Sequence, residues 1–318
     1  MLKAAVLGMG FMGQTHCRNL MNIKDVKVTA LCEADRGKVK NYEQDGIPVY
    51  SDFDRMLEKE EPDIIVICLP PFAHNGEFEK AAKKGISVFI EKPVALKNQD
   101  AERLVRAAKE YGIITQVGYH QRFGEAVKRL RQIIDSGEAG RPCLFQGLYS
   151  CNALHAPWWR EKEKCGGQVL EQVIHTYDMA LYLMGEVTDA FGAVGNVCHR
   201  DVERYNIEDV SVSCLRFSNG ALGSICATNC GVPMRWDNPF KVVFEKLTAD
   251  FSDPNHARLY FTQKGYEEVI DEGTDLYMEE MGSFVQAVKE GKQPECGIEA
   301  GYESLKLVNR VLESSGGI

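Results

Sequence analysis

Short apolar runs and segments of helical period alternate through the first 120 residues. Residues 4–7, 26–32, 49–50, 63–69, 86–90 and 113–117 read as strands, and 11–21, 36–44, 52–60, 75–84 and 98–111 as the helices between them. The run Ile64, Ile65, Val66, Ile67, Cys68, Leu69 is apolar without alternation, the pattern of a strand covered on both faces in a parallel sheet. Pro70-Pro71 stops it, and Gly85 and Gly112 stop the helices before the next two strands. This βαβα rhythm predicts an α/β fold with a doubly wound parallel sheet. Beyond it the pattern changes. An amphipathic helix over 125–135, an extended stretch over 143–151 and a long helix over 168–184 come first. Extended runs at 210–217 and 221–230 then flank Ser218-Asn219-Gly220, a hairpin signal. Runs at 241–247 and 257–262 continue the strands, and helices over 276–290 and 298–314 close the chain. Two domains are expected: a dinucleotide-binding type over 1–120, and an α+β domain over 121–318 with a mostly antiparallel sheet and helices on one face.

Composition narrows the class. Apolar residues are 44% of the 318 and charged residues 26%, as in an ordinary globular protein and unlike a disordered or fibrous one. The net charge of −9 argues against nonspecific nucleic-acid binding, which needs a basic footprint. The 11 cysteines are scattered with no Cys-x-x-Cys pair. Free thiols in a reducing cytoplasm fit them better than a secreted disulfide framework or a structural zinc site. Lys3 and the apolar run 4–13 imitate a short signal peptide, but three glycines interrupt it and 14–18 offer no small-residue cleavage site. No apolar stretch reaches 18 residues, so no membrane span is expected.

Between the first strand and the first helix stands Gly8-x-Gly10-x-x-Gly13, with Phe11 and Met12 in its variable positions. In a strand–loop–helix setting this spacing marks a dinucleotide site. Gly8 makes the tight turn, Gly10 lets the backbone approach a pyrophosphate, and Gly13 lets helix and strand pack closely. The N–H groups opening the helix face the phosphates. Twenty residues past Gly13, Glu33 ends the second strand, where a carboxylate accepts bonds from the adenosine ribose and repels a 2′-phosphate. NAD is therefore expected in preference to NADP, with Arg36 nearby softening the choice. The bland alternative is a glycine-rich strand end beside a solvated glutamate.

Glu91-Lys92-Pro93 follows the strand 86–90. Ligands of open parallel sheets bind at the carboxyl ends of strands, so Lys92 sits where a nicotinamide and its substrate would meet. Taken alone, the tripeptide reads equally as a surface lysine in a turn. In the 168–184 helix, Gly166-Gly167-x-x-x-Glu171-x-x-x-His175-x-x-Asp178 puts Glu171, His175 and Asp178 on one face, continued by Tyr182. Leu170, Ile174, Tyr177, Leu181 and Met184 form the apolar stripe beside it. Such a polar stripe makes a cleft wall or, alternatively, a surface cluster worth roughly a few tenths of a kcal/mol per pair.

These three motifs together resemble the Gfo/Idh/MocA oxidoreductase family, which includes glucose–fructose oxidoreductases and inositol dehydrogenases. The resemblance covers nearly the whole chain, extending to Pro70-Pro71-x-x-His74 and to Tyr119-His120-Gln121-Arg122-Phe123 at the domain crossover. It implies an amino-terminal Rossmann domain, a carboxy-terminal α+β domain with an open sheet, and homodimers or homotetramers built by pairing those sheets. It further implies NAD-dependent hydride transfer between nicotinamide and a hydroxyl-bearing carbon of a sugar, inositol or related polyol. One departure stands out. The family usually carries Asp four residues before the histidine, whereas this chain has Glu171, whose extra methylene moves the carboxylate outward and bears on substrate contacts.

On this resemblance His175 is the general base, because imidazole titrates near neutrality. Glu171 orients its ring or binds a neighbouring hydroxyl. Lys92 hydrogen-bonds the reacting oxygen and stabilises developing alkoxide charge. Gly8, Gly10, Phe11, Met12, Gly13, Glu33, Arg36, Pro70, His74, Glu91 and Lys92 are expected around the cofactor. Asn152, His155, Trp159 and Arg160 are expected around the substrate with Glu171 and His175, since aromatic rings stack on sugar faces and Asn, His and Arg bind hydroxyls. The competing reading makes Trp158 and Trp159 a plug at a domain junction. His74 reads equally as a helix-start polar residue, and Arg122 as a bridge or a cap between domains. Cys226 and Cys230 read as sheet packing on one strand face. His16, His120, His199 and His256 share no metal-ligand spacing, so no metal is expected and a zinc-type alcohol dehydrogenase is set aside. Two other functions fit the same residues: a hydrolase or lyase that keeps its NAD and transiently oxidises a sugar hydroxyl, and a non-catalytic regulator that binds NAD and a sugar.

Overall fold

The computed structural model describes residues 1–316, which form two compact units. The first comprises Met1–Tyr119 with Tyr277–Tyr302, and the second His120–Leu276 with the chain from Glu303 on. Read along the chain, Tyr277–Tyr302 goes with the second domain; in space it folds with the first unit. No helix among the described residues is long and apolar enough to cross a membrane.

In the first unit β1 (Leu2–Leu7), α1 (Phe11–Asn22), β2 (Val26–Cys32), α2 (Lys40–Gln44), β3 (Val49–Tyr50), α3 (Phe53–Glu60), β4 (Ile64–Ile67), α4 (Glu77–Lys83), β5 (Ser87–Ile90), α5 (Asn98–Tyr111) and β6 (Thr115–Val117) follow one another. The sheet order is β3-β2-β1-β4-β5-β6 and every pair is parallel. The order reverses between β1 and β4, the switch point at which doubly wound sheets open a crevice beyond the strand ends. All four residues of β4 are fully buried, which is why its sequence shows no alternation. The expected helix over 36–44 is broken. Asp35 accepts the Gly37 N–H at 2.9 Å and starts a 3₁₀ turn over Arg36–Lys38, after which α2 begins afresh.

The second unit contains α6 (Glu125–Asp135), β7 (Pro142–Ser150), α7 (Lys162–Cys165), a π turn (Val169–Val173) running into α8 (Ile174–Met184), and then β8 (Val187–Gly195), β9 (Val210–Phe217), β10 (Leu222–Thr228), β11 (Phe240–Phe244), β12 (Leu247–Asp253), β13 (His256–Phe261) and β14 (Tyr266–Asp271). Two helices close the chain, α9 (Leu276–Glu290) and α10 (Ile298–Ser314). Met281, Phe284 and Val285 of α9 enter the first unit's core beside Val66 and Phe89, with the Phe89 and Phe284 ring centroids 5.8 Å apart.

The eight-stranded sheet has the order β14-β13-β12-β11-β7-β10-β9-β8. It is antiparallel except for the β7–β10 pair. The Ser218-Asn219-Gly220 hairpin forms, with Phe217 N–H donating to Ala221 O at 2.9 Å. The expected single run over 241–247 is two strands. The chain turns at Glu245-Lys246, whose N–H groups donate to Arg141 O and Ala139 O. One sheet face is buried through Phe145, Leu215, Phe217 and Ile225. Helix α8 lies close against it: a Cβ on Gly147 would come within 2.4 Å of Thr176 Cγ2.

Candidate functional site

The first unit places the glycine loop at the carboxyl end of β1, where α1 begins. Gly8 has φ +85°, and a Cβ there would meet Cys68 O at 2.6 Å. A Cβ on Gly13 would lie 1.8 Å from Gly8 O, so α1 can seat against the loop only because Gly13 is glycine. Gly10 differs. Its backbone is extended at φ −69°, and a Cβ would meet nothing within 4 Å. No contact within the unit explains a glycine there. The open space above it is where a pyrophosphate would approach the N–H groups that open α1. No side chain caps that end and no acidic residue stands in its first turn. Phe11 is 79% exposed beside it and Met12 half-buried.

Glu33 faces the same loop. Its Oε2 accepts Met9 N–H at 2.7 Å and its Oε1 accepts Asp35 N–H at 2.9 Å, which fixes the carboxylate at the end of β2. The cation near it is Lys38, with Nζ 3.6 Å from Oε1. Arg36 instead pairs with Glu43 and reaches Val49 O. Lys38 escaped the sequence reading because its approach depends on the 3₁₀ turn. Pro70 follows β4, and His74 lies just beyond, its Nδ1 3.9 Å from Glu77 Oε2. Burial pulls the His74 imidazole below its usual pKa, while Glu77 acts the other way.

Glu91 turns inward. Its Oε1 pairs with His16 Nε2 at 2.7 Å, and its Oε2 accepts the Lys92 N–H at 3.2 Å. Ligand atoms of His16, Glu91 and Glu280, all buried, lie within 4.8 Å of one another. The carboxylate thus holds the backbone from which Lys92 projects, at the carboxyl end of β5. The Lys92–Pro93 peptide is cis.

In the second unit, the expected uniform α-helix over 168–184 gives way to the π turn, a local widening frequent at functional sites. Glu171 lies within it and lines a recess with His155, Trp159, Gln168, Gln172, Tyr205 and Asn229. Gln172 Oε1 accepts from the Tyr149 hydroxyl at 3.0 Å and from the Cys151 thiol at 3.4 Å, and Gln172 Nε2 meets His155 Nε2 at 2.7 Å. Burial pushes the Cys151 thiol up to about 11, so it serves as a donor. Asn229 clamps the backbone of Ala153 through both amide atoms and donates to the Tyr205 hydroxyl at 3.2 Å. The His155 ring lies 4.0 Å from that of Trp159 and has a left-handed backbone, φ +52°.

The remaining expected residues are placed otherwise. His175, on α8, sets its ring edge-on to His120 at 4.6 Å and does not line the recess. Asp178 makes a bidentate pair with Arg122 at 2.8 and 2.6 Å and accepts from Ser304 Oγ at 2.9 Å. The Arg122 guanidinium stacks on Tyr182, 4.5 Å from its centroid. Glu171, His175 and Asp178 are all buried. Asn152 donates to Gly231 O, and Arg160 to Leu154 O and His155 O; both brace the loop. Trp158 packs on Cys165, Tyr205 and Ile207. Cys226 is exposed on β10, while Cys230 lies past its end, within 4.8 Å of Cys198 and Asp209 ligand atoms. Asp209 accepts N–H groups of Val197, Cys198 and His199. Gln168, Gln172, Tyr205 and Asn229 escaped the sequence reading. The two glutamines carried a weak signal, Gln168 standing three residues before Glu171 and Gln172 directly after it; Tyr205 and Asn229 carried none.

Comparison with known proteins bears on both units. Residues 2–119 match the family model "Oxidoreductase family, NAD-binding Rossmann fold" of the Gfo/Idh/MocA group, and 127–250 match the "GFO/IDH/MocA C-terminal domain". The chain is 27% identical over 323 aligned residues to myo-inositol 2-dehydrogenase of Thermotoga maritima, covering 96% of this chain and 94% of that one. It is 28% identical over 303 to scyllo-inositol 2-dehydrogenase (NAD(+)) of Bacillus subtilis, covering 92% and 88%. Among solved structures, levoglucosan dehydrogenase in complex with NADH and levoglucosan superposes with a TM-score of 0.89 at 20% identity, over 99% of this chain and 97% of that one.

Proposed function

The chain belongs to the Gfo/Idh/MocA oxidoreductase family, and from that premise we propose that it is an NAD-dependent dehydrogenase of a neutral cyclic polyol or sugar. The observation that carries this reading is the second unit's recess, whose lining combines aromatic faces, amides and a buried carboxylate, groups that bind hydroxyls. The names of the inositol and levoglucosan dehydrogenases among its relatives support it. The open cradle at Gly10 and the fixed Glu33 carboxylate fit a dinucleotide without a 2′-phosphate. Bound there, NAD supplies the hydride acceptor. Gly8, Gly10 and Gly13 shape the loop, the α1 N–H groups would hold its pyrophosphate, and Glu33 would hold its ribose. His175 removes the hydroxyl proton. Lys92 donates to the reacting oxygen and stabilises negative charge on it, its backbone held by Glu91. Glu171 positions a substrate hydroxyl.

The test is a screen of sugars and inositols with NAD and NADP, following NADH absorbance and aglycone release in parallel. NADH accumulation with a free polyol is the expected result. Aglycone release without it would move the assignment to the NAD-retaining hydrolase or lyase. His175→Ala and Lys92→Ala should each lose turnover by at least about a hundredfold, with NAD affinity by calorimetry unchanged in His175→Ala and substrate affinity also damaged in Lys92→Ala. Full activity in either variant removes that residue from the mechanism.

We further propose a homo-oligomer paired through the outward sheet face. Leu148, Cys226 and Val212 stand side by side on β7, β10 and β9, with Phe191 beside Cys214, all exposed. An apolar strip of that kind marks an association surface. A cytoplasmic setting suits the eleven free cysteines.

A further inference from the structure

We propose that Cys198 and Cys230 are a redox-active pair that closes a reversible disulfide, latching the 196–209 loop to the chain just past β10. Neither cysteine has a part in the dehydrogenase reading above. Their sulfurs and a carboxylate oxygen of Asp209 lie within 4.8 Å of one another. Asp209 pins both backbones. Its carboxylate accepts the Cys198 N–H at 2.7 Å, and its carbonyl oxygen accepts the N–H of Asn229, the residue before Cys230, at 2.7 Å. Cys230 is fixed again by Thr228 Oγ1, which accepts its N–H at 2.9 Å. Backbone bonds thus hold the two thiols side by side. Rotation about their Cα–Cβ bonds is what remains to reach the roughly 2.05 Å of an S–S bond.

The carboxylate between them argues against a metal. Oδ1 already accepts the Val197 N–H, and Oδ2 the N–H groups of Cys198 and His199 together with His199 Nδ1 at 3.0 Å. The His199 ring stacks on Tyr205, 4.7 Å away. Two sulfurs are left, short of the four ligands of a structural zinc and the number a disulfide needs. The two differ in access. Cys198 is exposed and Cys230 half-buried. Burial, and then the neighbouring Cys198 thiol, push the Cys230 thiol up to about 12. Cys198 therefore meets the oxidant and Cys230 resolves. With a low-molecular-weight disulfide as oxidant, Cys198 Sγ loses its proton and attacks one sulfur, breaking the oxidant's S–S bond and releasing one thiol. Cys230 Sγ then attacks Cys198 Sγ, its proton leaving with the second thiol. Two protein thiols are oxidised and one external disulfide is reduced. The ring so closed contains Tyr205, whose hydroxyl accepts from Asn229, so the new bond holds the loop against the strand end.

The test takes the full chain reduced with dithiothreitol, exposes it to glutathione disulfide, blocks the remaining thiols with N-ethylmaleimide and digests it with trypsin without reductant. Arg200, Arg204 and Arg216 stand between the two cysteines, which therefore fall in separate peptides, 165–200 and 217–235. Mass spectrometry should find these peptides joined in wild type and parted by dithiothreitol. Cys198→Ser and Cys230→Ser should each abolish the join, whereas Cys226→Ser, in the same peptide as Cys230, should keep it. Arg204 is exposed within the loop. Trypsin acting on the folded protein should cut there at least about tenfold more slowly in oxidised than in reduced wild type, with no such difference in Cys198→Ser. Glutathione adducts in place of the joined peptides, a join that survives loss of either cysteine, or one that dithiothreitol leaves intact, overturns the pair. A join with unchanged cleavage at Arg204 overturns the latch. The comparison of oxidised with reduced wild type needs no variant to fold.

Discussion

Three glycines of one loop do different work, and single substitutions separate them. Gly13→Ala forces a methyl group to 1.8 Å from Gly8 O, closer than any packing allows. It should cost about 1–3 kcal/mol in denaturant unfolding. Gly10→Ala meets nothing within 4 Å and its φ suits alanine. It should unfold within about 0.5 kcal/mol of wild type yet bind NAD at least about tenfold more weakly by calorimetry, because the methyl occupies the pyrophosphate's approach. Equal NAD affinity would show that the space at Gly10 is not the cradle. His74 gives a pH signature. Burial holds its folded pKa below 6.5, so the unfolded chain binds the proton more readily. The stability this residue contributes is present above that unfolded value and is lost as pH falls through the folded one. His74→Asn should therefore flatten the decline of Tm below about pH 6.5; an unaltered profile would refute the linkage. The identity of these residues was legible from spacing alone, because the loop's turn and helix start are local events. The partner of Glu91 was not, since His16 is 75 positions away in sequence, and the second carboxylate near that histidine, Glu280, is further still.

At the scale of elements, the π turn is the feature that ideal periodicity misses. An i, i+4, i+7 spacing lines up Glu171, His175 and Asp178 only if every turn has the α geometry. The wider turn over Val169–Val173 departs from that geometry at Glu171. Glu171 goes to the recess, His175 to His120, and Asp178 to Arg122. The last contact ties the 120–123 turn to α8 through a buried bidentate ion pair. Arg122→Ala leaves the Asp178 carboxylate buried and should cost about 3–5 kcal/mol in urea unfolding. Arg122→Lys should recover only part of this, since an ammonium lacks the planar fork. A loss below about 1 kcal/mol would mean the pair is not what joins these elements. Most boundaries in the first unit were legible, because buried parallel strands read as unbroken apolar runs. The polar, exposed strand β14 was not legible, because its residues carry no apolar alternation.

For the molecule as a whole, the sheet of the second unit has two faces with different tasks. One is covered by α8, and the other presents Leu148, Val212 and Cys226 outward. Placing a charge in the middle of that strip should dissociate a pair built on it. Wild type is expected to elute as a dimer or tetramer in light-scattering chromatography and Val212→Lys as a folded monomer. An unchanged mass would move the interface elsewhere. The same sheet brings β10's last turn and the 196–209 loop to the recess, so Asn229 and Tyr205 become neighbours of Gln168.

The sequence by itself determined the doubly wound unit, the dinucleotide loop and the strand end that carries Lys92. Each is specified by neighbours within about thirty residues, through periodicity and the backbone needs of glycine. Tertiary structure alone decided that Tyr277–Tyr302 folds back into the first unit's core, that Lys38 rather than Arg36 approaches Glu33, and that Gln168, Tyr205 and Asn229 share one recess. Such meetings depend on strand order and on a local change of helix geometry. Neither leaves a period in the chain.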